Sequence, residues 1–192
     1  MAETFEAYKR RLHGYLGKRD PIRVQQATPA RLERLIRGVP RWRLERRPAP
    51  GKWSVIEIVA HLADAELAMG WRLRNMLATS GVRLQWFDQD VWAKKCNYSG
   101  SDPRRSAATF RVLRESNLAL LRSVPRRRWG LCFGIHDVRG RQTVAAFVRL
   151  EAAHDLNHLL QIERLLQGKG GTGNVGSRGL GPSASVRSWA PR

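Results

Sequence analysis

The residues of this sequence best suited to chemistry are three histidines. His154 and His158 stand four positions apart in a segment with helical periodicity, so their side chains project from one helix face about one turn apart. That spacing can chelate one metal ion, and it also occurs by chance or in hydrogen-bonded pairs of interior histidines. His61 lies on the apolar stripe of a different segment and therefore points toward the core. His61 is thus either a core histidine with satisfied hydrogen bonds or a third ligand opposite the pair.

A site with all three imidazoles would occupy one face of a metal ion. It would leave one or more coordination positions open for water or a substrate, as catalytic metal centres do. Cysteine ligands are excluded, because Cys96 and Cys132 are the only cysteines and do not form a CxxC pair. The same count argues against a framework of disulfides.

Several polar residues near these histidines are candidates for a supporting role. Asp64 follows His61 by three positions and could hold a ligand imidazole or assist proton transfer, or it could be a solvated surface charge. Glu151 shares a helix face with His154 and could orient a ligand, or it could form a plain ion pair. Gln161 is a similar candidate for orienting a ligand.

The elements that must position these residues are mostly helices. Residues 19–39 have helical periodicity and are expected to form two joined or kinked pieces, with Thr28 and Pro29 as a cap and first-turn proline. Residues 40–53 are rich in proline and arginine and are expected to connect rather than to continue a helix. Ser54 and Glu57 have the spacing of a capping box, which predicts a long helix from about residue 55 to 77.

The second half of the sequence is also expected to be mostly helical. Residues 87–98 predict a short helix, and a third long helix is expected to begin at Asp102 and end before Pro125. Residues 131–133 could form a short strand. Thr143 is expected to cap a fourth long helix that runs to Gly168.

Length and composition predict one folded domain with a tail. The chain has 192 residues, 42% of them hydrophobic, which is enough for one sizeable core. Residues beyond 168 are dominated by glycine and serine without apolar periodicity. We therefore expect an all-α four-helix bundle over residues 1–167 and a disordered, basic tail over residues 168–192.

The formal net charge of +19 raises the question of nucleic acid or an acidic membrane surface. Arginine far outnumbers lysine, a bias that a GC-rich genome produces without selection for phosphate binding, and the basic residues are spread over several segments. The sequence has no helix-turn-helix, zinc-finger or RNP pattern, so no specific nucleic-acid partner is expected. The N-terminal residues lack the continuous apolar stretch of a signal peptide or membrane anchor, which predicts a cytoplasmic protein without a membrane partner.

Two motifs identify a known family. The sequences PGKWSVIEIVAHLADAE at residues 50–66 and AHDLNHLLQIERL at residues 153–165 resemble those of the DinB-like (DinB/YfiT) metalloenzymes. The intervening FDQDVWA follows the family's order, and so do His136, Gly140 and Thr143, so that the resemblance spans roughly residues 20–167.

The resemblance implies a four-helix bundle, often dimeric, in which three histidines bind zinc, nickel or a similar ion. Carried over by position, the ligands are His61, His154 and His158. His136 matches a histidine that the family usually follows with proline, whereas this chain has Asp137, and it is not expected to be a ligand.

The function that the resemblance implies is a metal-dependent enzyme similar to thiol-dependent S-transferases. The metal would activate a low-molecular-weight thiol or water as a nucleophile toward a small-molecule substrate. Two alternatives stay open: a stress-associated metal-binding protein without turnover, and an arginine-rich, nonspecific nucleic-acid binder.

Overall fold

Four long helices form a bundle in the computed structural model, which describes residues 4–137 and 139–168. This confirms the all-α four-helix bundle. The helices are, in chain order, α1 (Phe5–Leu16), α2 (Pro21–Ile36), α3 (Arg41–Glu45), α4 (Val55–Ala78), α5 (Gln89–Lys95), α6 (Pro103–Ser123) and α7 (Val144–Leu166). The bundle consists of α2, α4, α6 and α7, and α1 packs along α7.

The long helices begin at the capping residues that the sequence indicates. The Ser54 side chain accepts a hydrogen bond from the Glu57 backbone N–H, and the Glu57 side chain accepts one from the Ser54 N–H, which completes a capping box for α4. Asp102 caps α6 and Thr143 caps α7. These caps fix where the two histidine-bearing helices, α4 and α7, start.

Helix α2 corrects the expectation of two joined pieces. Asp20 caps it, and it continues through Pro29 without a break. A proline inside a helix leaves the carbonyl four residues earlier without its N–H donor. Here the Arg114 side chain of α6 supplies that donor, because its Nη1 lies 3.1 Å from the carbonyl oxygen of Gln25. A buried tertiary contact therefore compensates for the proline.

Two helices were not expected from the sequence. Helix α1 buries Tyr8, Leu12 and Leu16, spaced four residues apart, against a part of α7 that includes Leu150 and Leu156. Helix α3 is a single short turn within the connection that was expected to lack helix.

A small sheet adds to the bundle near the N-terminus of α7. Its strands are β1 (Val82–Leu84), β2 (Phe133–His136) and β3 (Gly140–Thr143), with β1 parallel and β3 antiparallel to β2. The strand predicted at residues 131–133 thus lies slightly later in the chain. Gly134 of β2 makes room for the Leu84 side chain of the neighbouring strand β1. A Cβ at position 134 would lie 2.5 Å from that side chain.

The core lies between the four long helices and includes Ile56, Ile58, Leu62, Phe110 and Ile162, all with almost no exposed surface. None of the helices within residues 4–137 and 139–168 is long and apolar enough to cross a membrane. The predicted disordered tail, residues 168–192, lies outside the described residues except for Gly168 and stays a prediction.

Candidate metal centre

The three predicted histidines meet in the interior of the bundle. His61 projects from α4, and His154 and His158 project from successive turns of α7. The Nε2 atom of His154 lies 3.2 Å from Nε2 of His61 and 3.1 Å from Nε2 of His158. One ligand atom from each residue lies within 4.8 Å of the others. The structure therefore brings together all three residues of the candidate site.

The three histidine rings differ in how deeply they are buried. His61 and His158 are 2% and 3% exposed, whereas His154 is partly exposed. The Trp53 ring packs against the His61 ring at a centroid distance of 4.9 Å, so this tryptophan is a packing contact of the site. Two of the imidazoles are therefore buried, and the third lies at the edge of the group.

The arrangement fits a metal ion. Two nitrogens that each lie about 2.0–2.1 Å from one ion at the tetrahedral angle are about 3.3–3.4 Å apart, close to the two separations from His154 Nε2 to the other rings. The Nδ1 atom of His158 lies 3.0 Å from the side-chain oxygen of Gln161, so Nδ1–H donates there and the Nε2 lone pair points at the cluster. A cation bound between the rings would take the lone pairs that their Nε2 atoms offer when each ring carries its proton on Nδ1.

Burial keeps these histidines neutral. It lowers the pKa of His61 and of His154 well below the ordinary value, and for both rings the neighbouring His158 lowers the pKa further. Burial also lowers the pKa of His158 to about 4, against the opposing effect of Gln161. Neutral imidazole is the form that binds a metal, so the three ligands are in the competent state at neutral pH.

A small cavity adjoins the histidines. It has a volume of about 40 Å³, and its walls include His61 and His154 on one side and Arg72, His136 and Glu151 elsewhere. One water needs roughly 10–15 Å³ of such volume, so the cavity has room for a water or the head of a small molecule. An open space of this kind is typical of a catalytic rather than a closed structural metal site.

Glu151 is a buried wall of this cavity. It is 7% exposed, and its carboxylate has no hydrogen bond or ion pair within residues 4–137 and 139–168. Burial raises the pKa of Glu151 to about 7, and the charges of Arg139 and Arg72 oppose this rise. From the sequence, Glu151 could either orient a ligand or form an ion pair; the structure places it at the cavity, and it is Gln161 that contacts a candidate ligand, His158.

Asp64 lies away from the three-histidine group. Its Oδ2 accepts a hydrogen bond of 2.8 Å from the hydroxyl of the buried Tyr98. Burial, followed by this hydrogen bond to Asp64, raises the pKa of Tyr98. Neither Asp64 nor Tyr98 lines the small cavity. The hydrogen bond to Tyr98 instead joins Asp64 to the segment that follows α5.

His136 lies at the end of β2 and lines the cavity without belonging to the group of three. Its Nδ1 accepts a hydrogen bond from the Arg139 backbone N–H. Burial, together with Arg139 and Arg72, lowers the pKa of His136 to about 3, which keeps the ring neutral.

A buried ion network next to the histidines was missed by the sequence analysis. Arg114 of α6 contacts Asp155 of α7 at 2.5 Å and Glu66 of α4 at 2.7 Å, and all three side chains are almost fully buried. Asn117 also donates to Glu66. The signal in the sequence was a charged residue on the inward stripe of each helix, but these three residues were not singled out as a group.

Fold and site together define a four-helix-bundle protein with a buried three-histidine cluster able to hold a metal ion. The sequence model of the DinB superfamily matches residues 25–162. Because this match covers more than half of the chain, the protein belongs to the DinB superfamily.

Known relatives carry names that agree with such a site. "Putative metal-dependent hydrolase YfiT" of Bacillus subtilis is 24% identical over 144 residues, which are 75% of this chain and 81% of YfiT. "Putative metal-dependent hydrolase OB0413" of Oceanobacillus iheyensis is 26% identical over 122 residues, 64% of this chain and 69% of the relative.

A solved structure of YfiT from Bacillus subtilis has the same fold. It superposes with a TM-score of 0.73 at 24% identity, over 78% of this chain and 86% of YfiT. Its description is a probable metal-dependent hydrolase with an unusual four-helix bundle topology. At this identity the likeness establishes the fold.

Proposed function

We propose that this protein is a divalent-metal-dependent enzyme whose metal is held by His61, His154 and His158. The observation that carries the proposal is the convergence of three neutral imidazoles, two of which, His61 and His154, line a cavity with room for a small nucleophile. The names of the two relatives, both metal-dependent hydrolases, support the same class of activity.

Residues around the histidines would orient the rings and limit the size of the cavity. Gln161 holds the His158 ring with its Nε2 toward the cluster, and Trp53 packs on the His61 ring. The side chains around His136 and Glu151 limit the cavity to a small volume, which excludes most bulk water. A bound divalent ion would supply Lewis-acid chemistry that lowers the pKa of a water or thiol.

We propose zinc or nickel as the ion, since imidazole nitrogens suit both. For the nucleophile we propose a low-molecular-weight thiol or water: the family resemblance supports the thiol, and the relatives' names support water. The corresponding reactions are thiol transfer to a small electrophile and hydrolysis of a small substrate.

The alternative is a metal-binding protein without turnover. Such a protein would be expected to enclose its metal completely, with four protein ligands and no adjoining space. The cavity beside His61 and His154 favours the enzyme.

A pair of assays tests the proposal. Protein loaded with zinc or nickel is assayed for hydrolysis of 4-nitrophenyl acetate, and for transfer of glutathione or cysteine to 1-chloro-2,4-dinitrobenzene. His158→Ala removes a ligand, and His13→Ala is the matched control because His13 lies on α1, outside the cluster. The proposal expects metal-dependent turnover in at least one assay that His158→Ala abolishes and His13→Ala retains. Equal rates for the loaded natural chain and His158→Ala in both assays would contradict it.

A further inference from the structure

A groove of about 580 Å³ lies along the outer side of α4, facing the segment that connects β1 to α5. This volume is within the range of roughly 300–1,000 Å³ that is usual for small-molecule sites. Its walls include Trp71, which is 70% exposed, and Phe87, which stacks on Trp92 at a centroid distance of 4.2 Å. The groove therefore offers several aromatic faces to a ligand.

The groove and the small cavity beside the histidines share part of their walls. Arg72, Trp86 and Phe87 line both. A molecule bound in the groove would consequently lie next to the candidate metal centre, separated from it by these three side chains.

Arg72 is the unusual member of this shared wall. It is 4% exposed, and its guanidinium lies over the Phe87 ring at 5.2 Å. Its Nη2 donates to the carbonyl oxygen of Gln85, and within the described residues this is its one side-chain hydrogen bond, with no ion pair. Arg114, the other deeply buried arginine, contacts two carboxylates.

A guanidinium has five N–H donors, and burying its charge without an anion is costly. Burial and the neighbouring Arg139 lower the pKa of Arg72 to about 10, and the nearby Glu151 opposes this, so Arg72 is still charged at neutral pH. Arg139 and Glu151 line the same cavity, so the fixed charges of these three residues sum to a positive value. An anionic group is the ligand that complements this wall.

We propose that the groove and the small cavity form one binding site for a small organic acid with an aromatic body. Its carboxylate accepts hydrogen bonds from Arg72, and its ring lies against the aromatic side chains of the groove. The proposal rests on the proposed function, since it places the acid beside the three histidines as the substrate.

A small acid fits better than a second copy of this chain. The groove adjoins the cavity at the histidines, and Arg72, the proposed anion receptor, lies in the wall that the two spaces share rather than on the rim. The chain's net charge of +19 also disfavours self-association in general.

The test is isothermal titration calorimetry with 2-naphthoate and with its neutral analogue 2-naphthalenemethanol. The natural chain is expected to bind 2-naphthoate about tenfold or more tightly than the neutral probe, because a charge-assisted bidentate contact is lost with the carboxylate. Arg72→Met should reduce this preference to about twofold or less while the neutral probe binds as before. Continued binding of the neutral probe shows that the variant is folded.

Two further variants test the aromatic contact and the specificity of the charge effect. Trp71→Ala, at an exposed position, should weaken both probes by a similar factor because it removes a stacking face. Arg105→Met is the matched control for charge, since Arg105 is exposed on α6 and lines neither space, and it should leave both affinities unchanged.

The proposal is overturned if neither probe binds, if both bind equally to the natural chain, or if Arg72→Met keeps the preference. It is also overturned if sedimentation shows a dimer that Trp71→Arg dissociates, because the groove would then be an interface between copies. His158→Ala separates the two proposals, since His158 lines neither space. If metal-free His158→Ala still prefers 2-naphthoate to the neutral probe, and this preference depends on Arg72, the binding site is supported. If the natural chain prefers 2-naphthoate but binds no metal, the result counts against the proposed function alone.

Discussion

The Nε2 atoms of His61 and His154 lie 3.2 Å apart although 93 positions separate the two residues in the chain. Neither helix can fix this relationship alone, because His61 lies on α4 and His154 on α7. The side chain that joins both helices close to the cluster is Arg114 of α6, which contacts Glu66 on α4 and Asp155 on α7. The buried ion network therefore links the two histidine-bearing helices.

Arg114→Met is expected to lower the free energy of unfolding by about 3–5 kcal/mol, because it leaves two buried carboxylates without their counterion. It also removes the donor to the Gln25 carbonyl at the proline of α2. The measurement is urea denaturation followed by circular dichroism.

Arg111→Met is the control for this change. Arg111 lies on the same helix and forms exposed ion pairs with Glu33 and Glu115, so its loss should cost less than about 1 kcal/mol. Similar losses for the two variants would mean that the buried network contributes no more than a surface pair.

Much of the fold was predictable from the sequence because the signals were local. Ser54 with Glu57, Asp102 and Thr143 mark helix starts by chemistry that acts within three residues. The expectation of two joined pieces around Pro29 was wrong because the compensating donor, Arg114, is distant in the chain. Helix α1 was missed although its apolar residues have helical spacing, since they lie among many charges and pair only with α7.

The candidate site was predictable only in part, because only some of its residues belong to local sequence patterns. The His154 and His158 pair is a local pattern, and His61 follows from an apolar stripe and the family motif. No local pattern indicates that Arg72 lies between a groove and a cavity, or that Glu151 is buried in the wall of that cavity. Those properties depend on how α4, the small sheet and α7 come together.

Gln161→Met is expected to weaken metal binding by about 10–100-fold, since the Nδ1–H of His158 loses its acceptor and the ring loses its fixed orientation. The variant should still bind one ion at saturating metal. Competition with a chromophoric chelator measures the affinity, with Gln26→Met, at an exposed position on α2, as the control. An unchanged affinity in Gln161→Met would show that Gln161 does not orient the ring.

Glu151→Gln is expected to stabilise the metal-free protein at high pH. The pKa of Glu151 in the folded state is raised from 4.5 to about 7, so the folded state holds a proton that the unfolded state releases. Stability of the natural chain should fall as the pH rises from about 4.5 to 7, by up to about 3 kcal/mol. The variant should lack this fall, so the two chains should agree near pH 4 and differ most near pH 8.

Urea denaturation in the presence of a chelator measures this difference, because a bound cation nearby would lower the pKa of the carboxyl. Glu115→Gln, at an exposed position on α6, provides the comparison and should leave the pH profile unchanged. A Glu151→Gln profile that runs parallel to the natural one would contradict the raised pKa.

The most direct test of the account is the metal content of protein purified without a histidine tag, measured by mass spectrometry. The natural chain, His13→Ala and His136→Ala are expected to carry close to one divalent ion per chain. His61→Ala and His158→Ala are expected to carry almost none while remaining folded. A natural chain that is folded, metal-free and unable to take up zinc or nickel would contradict the metal centre, and so would full metal content in His61→Ala and His158→Ala.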